Sequence, residues 1–118
     1  MIETVEALSN LDAILSVPGI DAVYVGPADL SLTLGLAPQG DHDDASFNAA
    51  LAKVVSACNR RGIVAGIHAN PQIAAKRLEQ GFRMVTVTSD LQAIMAGASD
   101  ALRSGRPASD TPGGESLY

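Results

Sequence analysis

Apolar residues recur along this chain at two periods that take turns. Over residues 5–16, Leu8, Leu11 and Leu15 fall three and four apart, the spacing of an amphipathic helix with one buried stripe. Thr4 is its expected N-cap, Glu6 lies in the positively polarised first turn, and Pro18-Gly19 stops it. Ala22-Val23-Tyr24-Val25 follows without alternation, which predicts a strand covered on both faces. Residues 35–43 read as a loop. The next helix is predicted from about Asp44 to Arg61, with Phe47, Leu51, Val54, Val55 and Cys58 on one stripe and Gly62 just past its end. Ile63 to Ile67 predicts a strand, and Asn70-Pro71 a helix start that runs to Gly81. Met84 to Thr88 predicts the last strand. Ser89 or Asp90 then caps a helix that turns Leu91, Ile94, Met95, Ala98 and Leu102 inward. These elements make a domain over residues 1–103, and residues 104–118 read as a flexible tail or docking arm.

Strands that alternate with helices imply an α/β fold with a parallel sheet and right-handed crossovers. Four βα units can be counted, the first strand being reduced to Ile2-Glu3. They suit either a small open sheet or one half of a (β/α)8 barrel. A whole barrel needs roughly 200 to 250 residues, and the chain has 118. In both arrangements chemistry belongs at the C-terminal ends of the strands. Those ends carry Glu3, then Gly26-Pro27-Ala28-Asp29, then His68, then Ser89-Asp90. Glu3 and Asp29 sit on consecutive strand ends, about 4.8 Å apart across the sheet. Two carboxylates with open positions beside them suit a hard divalent cation such as Mg²⁺ or Mn²⁺. The same residues also suit plain structural duty, Glu3 flanking a helix start and Asp29 capping a turn over residues 29–34.

Composition narrows the chemistry. Eight Lys+Arg against thirteen Asp+Glu give a net charge of −5, with no basic stripe for nucleic acid. No apolar run approaches the roughly 18 residues of a membrane span, and the first residues do not pattern as a signal peptide. A single cysteine, Cys58, excludes an internal disulfide, so a cytoplasmic setting is expected. Both lysines, Lys53 and Lys76, fall inside predicted helices, away from the strand ends where a Schiff-base lysine would stand. If the chain handles 2-oxo acids, a metal must polarise the carbonyl. His42 lies among Asp41, Asp43 and Asp44, better explained as a solvated loop ending in an N-cap than as a metal cluster. Cys58, Met84 and Met95 read as core. No G-x-S-x-G, G-x-G-x-x-G or Walker pattern occurs.

Three segments carry a resemblance: Met1-Ile2-Glu3-Thr4, Val17-Pro18-Gly19-Ile20-Asp21-Ala22-Val23, and Val25-Gly26-Pro27-Ala28-Asp29-Leu30-Ser31. They resemble the C-terminal half of the HpcH/HpaI aldolases, a family that includes 4-hydroxy-2-oxoheptanedioate aldolase and is related to the citrate lyase β subunit. The resemblance runs to about Arg103 and implies one half of a TIM barrel from a metal-dependent pyruvate aldolase. It assigns Glu3 and Asp29 to a Mg²⁺ or Mn²⁺ ion, and Gly26 and Ala28 to the carboxylate of a pyruvate-type 2-oxo acid. His68 would touch substrate where many relatives carry an apolar residue. The reaction implied is cleavage of a 4-hydroxy-2-oxo acid to pyruvate and an aldehyde. The family's acid/base residues come from the first half of the barrel, which is not represented here. The expected partner is therefore that missing half or a further copy in a homo-oligomer, since a four-strand sheet leaves two open edges. Two other readings stand beside this one: a catalytically silent oligomerising α/β module, and a lyase of the citrate lyase β or malyl-CoA type. No basic pocket for CoA phosphates is evident for the latter.

Overall fold

Residues 1–106 are described by a computed structural model, and they fall into two units, Met1–Thr88 and the segment from Ser89 onward. The first holds α1 (Val5–Ser9), α2 (Leu11–Leu15), β1 (Ala22–Val25), α3 (Pro27–Thr33), α4 (Ala45–Arg61), β2 (Val64–His68), α5 (Ala74–Glu79) and β3 (Met84–Thr86). The second holds α6 (Asp90–Gly105).

The strands form a parallel sheet in the order β1-β2-β3. Val25 stands opposite Ile67, and Ile67 opposite Val85. The predicted N-terminal strand is present only as a parallel bridge between Ile2 and Val25, secured by the Ile2 amide donating to the Tyr24 carbonyl at 2.8 Å. One face of the sheet, formed by Ile2, Val23, Val25, Ala65 and Ile67, is buried in the hydrophobic core with Leu8, Leu11 and Leu15, Leu30, Phe82, and Phe47, Leu51, Val54 and Cys58 of α4. Each large side chain sealed there contributes about 2 kcal/mol of burial.

Within the first unit, the helices α1–α5 leave the opposite face uncovered. Val64 and Met84 remain 38% and 41% exposed, so the strands are covered on one side only, contrary to the expectation for Ala22–Val25. Met84 is therefore not core, and neither is Met95. None of the α6 residues is buried, and Leu91, Ile94, Met95 and Leu102 are all exposed. The inward stripe expected of that helix is unburied among the described residues. Most of the expected tail, residues 107–118, lies outside the described residues, while α6 itself continues to Gly105.

Local signals explain most element ends. Thr4 Oγ1 accepts from the Ala7 amide, Asp44 accepts from the Ser46 and Phe47 amides, and Ser89 accepts from the Gln92 amide, each satisfying amides the helix leaves free. Gly62 turns left-handed at φ 68°, and the Ile63 amide closes back on the Cys58 carbonyl at 3.0 Å, a Schellman ending. Two details depart from expectation. The first helix is broken at Asn10 into α1 and α2, and Asn70 caps a single turn through Gln72 and Ile73 before α5 begins at Ala74. A third element, α3, replaces the turn expected after Asp29. Gly26 is its N-cap and Pro27 its first residue, a position proline favours because its missing N–H costs nothing there.

Candidate active site at the strand ends

The register places Glu3, Gly26, His68 and Thr86 in one row across the C-terminal ends of the sheet, since Ile2, Val25, Ile67 and Val85 form the row beneath. Strand alternation turns this row toward the uncovered face, together with Tyr24, Gly66 and Met84 one level below.

Glu3 is half-buried, and its carboxylate lies directly against Gly26. A Cβ at Gly26 would come 2.6 Å from Glu3 Oε2 and 3.3 Å from Glu3 Cβ. Glycine is what lets the carboxylate rest over the backbone at this point. Asp29 follows in the first turn of α3 and is exposed. Neither carboxylate accepts a hydrogen bond or ion pair from any described residue. The capping duty considered for Asp29 is absent, because the N-cap of α3 is Gly26. The first helical bond of α3 runs from the Leu30 amide to the Gly26 carbonyl at 2.9 Å. That leaves the amides of Ala28 and Asp29 without an intrahelical acceptor.

Among the described residues no three His, Cys, Asp or Glu side chains gather into a cluster. A cation held by Glu3 and Asp29 would thus keep most of its shell for water and substrate oxygens. Mg²⁺ and similar hard ions bind in that manner, through one or two carboxylates. The two free, oxygen-only donors fit such an ion.

His68 ends β2 and is exposed, with Nδ1 3.4 Å from the Tyr24 hydroxyl. That hydroxyl also meets Thr86 Oγ1 at 2.6 Å. Tyr24 and Thr86 were not singled out by the sequence. Their meeting depends on register, and on Gly66 lying between them without a side chain. His42 is elsewhere, its Nε2 2.9 Å from the Ala37 carbonyl and its ring edge-on to Phe47 at 5.1 Å. Both lysines are engaged away from the row, Lys53 donating to the Leu8 carbonyl and Lys76 to Asp41 at 2.7 Å.

A buried cation supports the loop that follows α3. Arg77 is fully buried, and its guanidinium donates to the Gly40 carbonyl, Asp41 Oδ1 and Gln80 Oε1, each at 2.7 Å. Burial alone would raise the Asp41 carboxyl. The Lys76 hydrogen bond, and the charges of Arg77 and Lys76, hold it below the ordinary aspartate value instead. From the other side, the buried Ser31 hydroxyl sits 2.7 Å from the Pro27 carbonyl and 3.2 Å from the Gln39 carbonyl. This ties α3, and so Asp29, to the same loop. No helix among the described residues is long and apolar enough to cross a membrane.

Known proteins resemble this chain in sequence and in fold. The family model for HpcH/HpaI aldolase/citrate lyase matches residues 1–96. A hydroxypyruvate/pyruvate aldolase of Rhizorhabdus wittichii is 42% identical over 107 residues, covering 90% of this chain and 43% of the relative. A 4-hydroxy-2-oxo-heptane-1,7-dioate aldolase of Salmonella paratyphi B is 41% identical over 99 residues, covering 82% of this chain and 36% of the relative. Among solved structures, an HpcH/HpaI aldolase/citrate lyase family protein from Burkholderia cenocepacia superposes with a TM-score of 0.77 at 31% identity, over 90% of this chain and 41% of that one. The chain thus spans about two-fifths of the length of these relatives.

Proposed function

The chain belongs to the HpcH/HpaI aldolase/citrate lyase family, and from that premise we propose that it supplies the metal-holding part of a pyruvate-type aldolase acting on a 4-hydroxy-2-oxo acid. The observation that carries this reading is a pair of carboxylates without a partner among the described residues, Glu3 against Gly26 and Asp29 one helical turn further on. Glu3 and Asp29 would hold a divalent cation, Mg²⁺ or Mn²⁺. Once bound, the cation supplies Lewis-acid stabilisation of negative charge developing on the 2-oxo oxygen.

The remaining roles fall to the chain itself. Gly26 and Ala28 keep the approach to the backbone open, and the free amides of Ala28 and Asp29 are suited to receive the substrate carboxylate. His68, in the same row, faces the part of the substrate beyond the bond to be broken. With both lysines engaged elsewhere, carbonyl activation through an iminium has no candidate here. Proton transfer needs groups from outside this chain, so the isolated chain is expected to bind metal and turn over very slowly. The three-strand parallel sheet, with the Ile2–Val25 bridge beside it, is read as part of one half of a TIM barrel, a reading supported by the superposition on 41% of the Burkholderia chain. The open edges of the sheet support association with a further copy of the chain or with an N-terminal half barrel, and the single cysteine suits a cytoplasmic setting. A lyase acting on a CoA thioester is the second choice, since the relatives compared above are named aldolases.

Mn²⁺ titration of the wild type, Glu3→Gln and Asp29→Asn is the test. Each substitution should weaken binding at least about tenfold, and equal affinities in all three would overturn the assigned ligand pair. A retro-aldol assay with Mg²⁺ then asks whether the metal-loaded chain turns over.

A further inference from the structure

The uncovered sheet face carries a polar group that the metal reading leaves unused. Tyr24 starts on β1, yet its hydroxyl lies 2.6 Å from Thr86 Oγ1 on β3, two strands away. Gly66 makes the crossing possible. A Cβ there would lie 2.9 Å from Tyr24 Cδ2 and 2.6 Å from Met84 Cε, so the Tyr24 ring and Met84 close over the place where a side chain would be. At the far end of its reach the same hydroxyl is 3.4 Å from His68 Nδ1.

The protons of this trio can be assigned by counting. Among the described residues, Thr86 Oγ1 has one partner, the Tyr24 hydroxyl. If Tyr24 donated to Thr86, the threonine proton would find no acceptor among the described residues and would be left to solvent. If Thr86 donates to Tyr24, the tyrosine proton passes to His68 Nδ1 and both hydroxyl protons are used. A neutral imidazole that accepts at Nδ1 carries its proton on Nε2. The opposite nitrogen of His68 is then a donor, on an exposed ring at the strand ends.

We propose that Thr86 and Tyr24 are positioning residues that hold His68 as the Nε2–H tautomer and present that donor to an oxygen on the aldehyde-derived end of the substrate. This deepens the aldolase reading and rests on it. Glu3 and His68 are separated by two strand spacings, about 10 Å between backbones, with a carboxylate arm reaching in from one side and an imidazole from the other. That span suits a short substrate whose carbonyl end lies toward Glu3 and whose distal end meets His68. A donor at this position selects acceptors that carry a hydroxyl or carboxylate oxygen beside the aldehyde, and it disfavours purely alkyl aldehydes, which would leave the N–H unpaired.

Imidazole ¹⁵N spectra of the 118-residue chain test this directly, because it has only two histidines and His42→Gln assigns them. At a pH where the ring is neutral, wild-type His68 should show an unprotonated Nδ1 and a protonated Nε2, widely separated in shift. Tyr24→Phe and Thr86→Val should narrow that separation toward the tautomer mixture of free imidazole, and Thr86→Ser should restore it. Glyoxylate should then perturb the wild-type His68 Nε2 resonance, with affinity about fivefold weaker in Tyr24→Phe. Propionaldehyde should leave that resonance in place. A His68 protonated on Nδ1, a tautomer balance indifferent to Tyr24→Phe, or an equal response to the two aldehydes would overturn the inference. The ring-nitrogen signals need neither metal nor turnover. A failure of Mn²⁺ binding would therefore sink the aldolase reading without being mistaken for a failure here.

Discussion

If Glu3 is a metal ligand as proposed, Gly26→Ala should weaken Mn²⁺ binding while leaving the chain folded. Gly26 has φ −92° and ψ 93°, a conformation open to alanine, so backbone strain does not enter. The new Cβ would stand 2.6 Å from Glu3 Oε2, where ordinary contact begins at 3.4 Å, so the carboxylate must retreat by about 0.8 Å. Metal–ligand distances tolerate only about 0.2 Å. The atom that must move is the free end of a flexible side chain, which accepts the displacement by rotating away. Alanine is a poorer N-cap than glycine, but it also reduces the freedom of the unfolded chain. The two effects oppose each other and leave stability within about 1 kcal/mol of wild type. Mn²⁺ affinity, read by calorimetric titration, should fall on the order of 10- to 100-fold. Urea denaturation on the same samples separates this from unfolding. Full Mn²⁺ affinity in a normally stable Gly26→Ala chain would refute the placement of Glu3 as a ligand over Gly26.

Gly66→Ala should behave differently. Its Cβ would lie 3.1 Å from the Val23 backbone carbonyl as well as against Tyr24 and Met84, and backbone does not rotate away. A loss of about 1–3 kcal/mol in urea denaturation is expected. Arg77→Met should cost about 3 kcal/mol, because it leaves Asp41 without its buried partner. The same pair sets an acid dependence. The Asp41 carboxyl is lowered in the folded chain, so its contribution is present above the unfolded aspartate pKa near 3.9 and is lost as pH falls through the lower folded value. The stability gap between wild type and Asp41→Asn should therefore be wide at pH 7 and shrink below about pH 4; a gap constant with pH would contradict the pairing. Burial raises the Cys58 thiol, which is fully covered. Its reaction with a thiol reagent at pH 8 should follow the unfolding rate across urea concentrations rather than the rate of an open thiol.

Much of this architecture was legible because it is governed by local chemistry. Thr4, Asp44 and Ser89 have short oxygen side chains that bond amides two or three residues ahead, and Gly62 is the residue that turns left-handed without penalty. The stripe Phe47, Leu51, Val54 and Cys58 needed only the 3.6-residue period to be placed inside. Alternating periods also fix where strands stop, and parallel order fixes which end they share, which brought out Glu3 beside the Ile2–Val25 bridge; Asp29 instead falls in the first turn of α3, past the end of β1. The helix α3 escaped this reasoning because seven residues opening on Gly26-Pro27 carry too little periodicity to distinguish a helix from a turn.

What the sequence left open are contacts between residues far apart along the chain. Arg77 looks like a solvated helix cation until Gly40 and Asp41, 37 and 36 residues away, close around its guanidinium. Tyr24 looks like strand filler until register sets Gly66 beside it and Thr86 beyond. The apolar stripe of α6 reads as core by its period alone, because period reports which residues share a face and says nothing of whether that face is buried. The sequence by itself determined the three paired strands, their parallel order and most of the helices. Only the tertiary structure decided which sheet face is covered, that Glu3 rests on Gly26, and that Tyr24 joins Thr86 to His68. Those outcomes depend on register and on space left by absent side chains, which exist only once separate segments have packed together.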